Sequence, residues 1–110
     1  MTFEWDEQKR LTNLAKHGID FEAAKLIFGA PTLESPDNRR DYGESRIGAY
    51  GEVAGMVVFV VYTARDGCRR LISARKAGSH EQEIYHSRIA AAGGDDDGQD
   101  GPGAGSGDDG

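Results

Sequence analysis

Apolar residues in the first third of the chain recur at helical spacing. Asp6 precedes a run in which Leu11, Leu14 and Ala15 form one stripe, and Lys16-His17-Gly18 ends it with basic residues and a glycine stop, so the pattern predicts a helix closing near His17. Asp20 opens a second helix through Phe21, Ala24, Ile27 and Phe28, which Gly29 and Pro31 terminate. Residues 32–55 are polar and rich in turn formers, with a strand-like stretch at Arg46–Tyr50 and a weaker one at Thr32–Ser35. The spacing then changes. Met56–Thr63 is β-branched and aromatic at both parities, which predicts a central strand with both faces covered. Asp66-Gly67 signals a hairpin turn, and Cys68–Arg75 is the returning strand. A Ser79-x-x-Gln82 capping box opens a last helix carrying Ile84, Tyr85, Arg88 and Ile89. The order α-α-β-β-β-α describes an α+β domain: two N-terminal helices, an antiparallel sheet of three to four strands, and a C-terminal helix, all helices on one face.

Composition divides the 110 residues in two. Residues 93–110 hold eight Gly, six Asp and one apolar residue, Ala104, and have nothing to bury against the entropy of ordering. This segment reads as a disordered acidic tail; its Asp spacing, with no distant Glu, does not fit a calcium loop. The formal charge of −6 belongs to that tail, because residues 1–92 carry 13 basic and 13 acidic side chains. The folded domain, residues 1–92, is therefore electroneutral, and the acidic average does not exclude a nucleic-acid partner. No apolar run approaches the roughly 18 residues of a membrane span, and the start lacks a secretory pattern, so a cytoplasmic protein without membrane association is expected. Cys68 is the sole cysteine and, on a strand, reads as packing; His80 and His86 lack ligand spacing, so neither a disulfide nor a zinc site is expected.

Charge is concentrated in the second half. Arg65, Arg69, Arg70, Arg75 and Lys76 face only Asp66 within twelve residues, and guanidinium forks suit phosphate oxygens. Strict alternation puts Arg69, Leu71, Ser73 and Arg75 on one sheet face. Tyr62 offers a ring for stacking a base, and Lys16-His17 sits at a helix C-terminus that favours a cationic imidazole.

Four stretches taken together resemble one family. Phe3-Glu4-Trp5-Asp6-Glu7-x-Lys9, Asn13-x-x-Lys16-His17-Gly18-Ile19-x-Phe21-Glu22-x-Ala24, Val60-Val61-Tyr62-Thr63-x-Arg65 and Ile72-Ser73-Ala74-Arg75-Lys76-Ala77 look like the BrnT ribonuclease toxins of bacterial type II toxin–antitoxin systems. The resemblance covers about residues 3–89. It implies a RelE-like fold, metal-independent and cofactor-free cleavage of RNA, and a hetero-oligomer with a BrnA-like ribbon-helix-helix antitoxin that carries the toxin to operator DNA. On this reading Arg65 and Arg75 stabilise charge, Lys16, His17 and Glu81 transfer protons or position substrate, and Tyr62, Arg69 and Lys76 contact RNA. Gln82 stands where the family usually has Arg. That departure motivates the rival reading, a catalytically weak toxin-like module that pairs with its antitoxin as a transcriptional co-repressor.

Overall fold

The computed structural model describes residues 2–39 and 41–94. Strand β1 (Thr2–Trp5) leads into helix α1 (Glu7–His17), a single turn α2 (Phe21–Ala24) and a 3-10 segment over Lys25–Gly29. Strands β2 (Leu33–Pro36), β3 (Ile47–Val53), β4 (Met56–Arg65) and β5 (Cys68–Lys76) follow, and helix α3 (Ser79–Gly94) closes the chain. The strands form one sheet in the order β1-β5-β4-β3-β2. From β2 to β5 every neighbouring pair is antiparallel, but β1 runs parallel to β5 at the edge, Trp5 opposite Leu71. The fold is α+β as expected, with two corrections to its sheet: it has five strands and it is mixed. The expected tail lies, from residue 95 onward, outside the described residues; Gly93 and Gly94 belong to α3.

The second predicted helix is real only in its first turn. From Lys25 the winding tightens to three residues per turn, which eclipses side chains three apart. Phe21, Ala24 and Ile27 then fall in one line, and all three are fully buried. Burying Phe21 and Ile27 contributes roughly 1.5–3 kcal/mol each. The segment sits so close to the sheet that a Cβ on Gly51 would meet Cβ of Ile27 at 2.5 Å.

Helices occupy both faces of the sheet, not one. Phe21, Ala24 and Ile27 pack on Val58, Val60, Tyr62, Leu71 and Ala74, while Tyr85 and Ile89 of α3 pack on Val57, with Tyr50 and Leu33. The alternation along β4 explains this: neighbouring valines point to opposite faces and each needs a cover. The two faces are called here the α2 face and the α3 face.

Alternation fails at one place in β5. Val61 pairs with Ser73 but Tyr62 pairs with Leu71, so Ile72 is an extra residue in a β-bulge. The predicted single face of Arg69, Leu71, Ser73 and Arg75 is therefore split. Ser73 and Arg75 lie on the α3 face, whereas Leu71 and Arg69 belong to the α2 face, where Arg69 lies 4.2 Å above the Phe28 ring. At the hairpin tip Asp66 and Gly67 take positive φ angles of 53° and 76°, as a two-residue turn of the predicted kind requires.

Helix α1 also departs from its pattern. Its expected apolar stripe faces outward: Leu11 is 47% exposed and Leu14 37%, and the buried residue is Asn13. The reason is that β1 pairs only with residues 68–71, leaving the next part of β5 an open edge. Asn13 completes that edge, accepting from the Ala74 N–H at 3.1 Å and donating to the Ala74 carbonyl at 2.8 Å and the Ile19 carbonyl at 3.1 Å. An open strand edge calls for donors and acceptors, so the inward position on α1 is polar.

Candidate active site

The register aligns Leu33, Tyr50, Phe59 and Arg75 in one row across four strands on the α3 face. Phe59 lies flat enough that a Cβ on Gly48 would meet its ring at 2.7 Å, and the Tyr50 ring stands 4.6 Å from it, centre to centre. The Arg75 guanidinium sits 4.7 Å above the same ring. Such stacking holds a guanidinium plane in place without consuming its N–H groups.

Glu81 meets this row from the first turn of α3. Arg75 donates through Nη1 to Glu81 Oε1 at 2.9 Å and through Nη2 to Oε2 at 3.0 Å. Tyr50 donates its hydroxyl to Oε2 at 2.8 Å, and the Gly78 N–H donates to Oε1 at 2.9 Å. The helix begins one residue earlier than its predicted box: the Gly78 carbonyl accepts from the Gln82 N–H, so Glu81 occupies the capping position assigned to Gln82. The Gln82 side chain donates instead to the Ala77 carbonyl at 3.1 Å.

These donors fix the electrostatics. Hydrogen bonds from Arg75 first, then from the Gly78 amide and Tyr50, hold the Glu81 carboxyl at a pKa of about 2. A carboxylate so acidic is ionised throughout the neutral range and is a poor proton acceptor, but it holds a guanidinium well. Arg75 is pushed above its ordinary value by the same pair, and burial raises the Tyr50 phenol. Glu81 takes one N–H from each terminal nitrogen of Arg75, and the Lys76 carbonyl lies 3.3 Å from Nη1. Tyr50 also lies against the guanidinium, and among the described residues no hydrogen bond uses Nε–H, which is left for a substrate oxygen.

The other expected residues are distributed more widely. Lys16 and His17, both exposed, line a groove of about 460 Å³ between α1 and β5 that also includes Ser73, a residue on the same face as Arg75. Arg65 is at the hairpin tip, 3.5 Å from Glu44. It lies six residue steps along β4 from Phe59, the partner of Arg75, which places the two arginines about 20 Å apart along the strand. Arg69 is on the α2 face, and Lys76 is exposed opposite Val58. Tyr62 is only 4% exposed: its ring packs edge-on against Phe28 and its hydroxyl donates to Glu34 at 2.7 Å, so no ring face is open to a base.

Sequence reasoning missed Tyr50, Phe59 and Asn13. Tyr50 was inside a recognised strand and Phe59 inside the clearest one, but only the register reveals that they flank Arg75. The site's residues thus come from β3, β4, β5, α1 and α3. A family model described as the ribonuclease toxin, BrnT, of type II toxin–antitoxin systems matches residues 5–81, a span running from β1 to the carboxylate that grips Arg75. Comparison with curated protein sequences finds no match. Since that model covers most of the described fold and the whole Arg75 cluster, the chain belongs to the BrnT family of ribonuclease toxins.

Proposed function

We propose that the chain is the toxin of its type II system and cuts RNA by attack of a ribose 2′-hydroxyl on the adjacent phosphate, leaving a 2′,3′-cyclic phosphate and a 5′-hydroxyl. Family membership implies an RNA substrate and an antitoxin. The observation that carries the mechanism is Arg75, stacked on Phe59 and clamped by Glu81 with its Nε–H to spare. A dianionic phosphorane needs fixed positive charge where its oxygens develop, and a guanidinium oriented in advance supplies it without reorganisation.

Within this proposal Glu81 positions Arg75 and does not carry protons. Lys16 and His17, exposed at the C-terminus of α1, are the proton-transfer pair, and no metal takes part. Arg65 meets a phosphate further along the RNA, and Arg69 and Lys76 contribute to the general field. The antitoxin is a BrnA-like ribbon-helix-helix protein that covers the α3 face and brings the complex to operator DNA.

Removing one preorganised donor of this kind typically costs roughly 10²–10³ in rate. Arg75→Ala is expected to slow cleavage by that factor while remaining folded, and Arg75→Lys to recover little, because an ammonium cannot span both Glu81 oxygens. Cleavage by the parent should survive EDTA. A folded Arg75→Ala protein that cuts at the parent rate overturns the assignment, as does activity lost in EDTA and restored by magnesium. Normal growth on induction of the soluble chain alone favours the co-repressor module over the nuclease.

A further inference from the structure

The groove between α1 and β5 extends past the chemistry. It exists because β1 stops opposite Leu71 and α1 then stands beside the bare strand, tied to it through Asn13 and Ala74. Lys9, Thr12, Lys16 and His17 line it from the helix, and Ser73 links it to the face that carries Arg75.

Most cations among the described residues are neutralised, and of the five that no carboxylate holds, Lys9, Lys16, Arg69, Lys76 and Arg88, two line this groove. Arg10, Lys25, Arg39, Arg46, Arg65, Arg70 and Arg75 are each held by a carboxylate. Among the described residues no carboxylate lies within ion-pair distance of Lys9 or Lys16. Asp6, the sole carboxylate in the lining, accepts from the Gln8 N–H at 2.8 Å and so caps the helix. Lys9 and Lys16 are two turns apart on one side of α1, about 10 Å along its axis. Two unneutralised ammonium groups with a hydroxyl between them, in a groove of about 460 Å³ open along its length, suit successive phosphates of an extended strand.

We propose that single-stranded RNA runs along this groove as it leaves Arg75, with Lys9 and Thr12 gripping the backbone of nucleotides outside the scissile step. The inference rests on the ribonuclease reading and deepens it, since it makes substrate length matter. An enzyme that held RNA only through Arg75 and Arg65 would show a length preference indifferent to Lys9.

The test compares the full chain with Lys9→Ala and Lys9→Glu on a dinucleotide and on a twelve-nucleotide unstructured RNA. Lys9→Glu is expected to raise KM for the longer RNA about tenfold with little change in kcat, shrinking its advantage over the dinucleotide by the same factor. Lys9→Ala should flatten the dependence of log affinity on log salt by about 0.7, the loss of one single-strand phosphate contact. Lys25→Glu, an equal charge change near Trp5 on the α2 face, should keep the parent KM. Parent-like KM and salt slope in the Lys9 variants, or an equal KM rise in Lys25→Glu, overturns the proposal. If the parent itself leaves RNA uncut, the ribonuclease reading fails separately. Fluorescence anisotropy on the same RNA then decides the groove: weaker binding by Lys9→Ala supports it and equal binding overturns it.

Discussion

Glu81 links stability and activity through one set of hydrogen bonds. Its folded pKa, about 2, lies below the ordinary carboxylate value of 4.5. The stabilisation it provides is therefore complete above about pH 4.5 and disappears as pH falls toward 2, when the carboxyl protonates and releases Arg75. The side chain is 32% exposed, so solvent screening reduces the gain to about 1–2 kcal/mol. Glu81→Gln should flatten the acid limb of unfolding between those pH values, while Glu7 and Asp37, also lowered by arginines, keep part of it. Urea melts from pH 2 to 6 would show this, and an unchanged slope for Glu81→Gln would contradict the pairing. Of the residues around this carboxylate, Arg75 was legible from its motif and Glu81 from its place in the last helix. Tyr50 and Phe59 were not, because an aromatic inside an apolar strand says nothing of its cross-strand neighbour until register is known.

At the scale of elements, α1 shows how periodicity can locate a helix and mistake its orientation. Leu11, Leu14 and Ala15 do share a side, but the helix serves a strand edge and so turns Asn13 inward. A buried side chain with three backbone hydrogen bonds leaves several groups unsatisfied when truncated. Asn13→Ala should cost about 2–3 kcal/mol, on the order of 10 °C in Tm for a domain of this size. Thermal unfolding by circular dichroism checks the figure; a loss under 2 °C would mean that the edge is closed in some other way. Asn13→Asp is a sharper probe, because it retains the acceptor for the Ala74 N–H and removes the donor that serves two carbonyls. The second helix was legible in its caps and spacing but not in its pitch, which the close approach of Ile27 to Gly51 decides.

For the whole molecule, the local signals were legible and the long-range ones were not. The long strand, the Asp66-Gly67 turn and the returning strand are where pattern and turn chemistry put them. Strand β1 is four residues, too short for alternation to register, and its parallel partner is 66 positions away at Cys68. The second helical layer follows from a β4 that is apolar at both parities, a feature visible in the sequence but compatible with more than one cover.

The extra residue at position 72 acts as a half-period shift between two lengths of one ribbon. Tip and base of the hairpin are out of phase, so a substitution at Arg69 and one at Arg75 act on separate surfaces although both arginines share a strand and an apparent parity. A chain lacking Ile72 would retain every charge and close into an unbroken ladder, because Ser73 and Leu71 already face the adjacent Val61 and Tyr62, so Leu71 stays buried and Arg75 stays on the α3 face. Such a deletion should keep the fold and cost less than about 4 kcal/mol, and a variant that failed to fold would show that the bend made by the bulge is itself required.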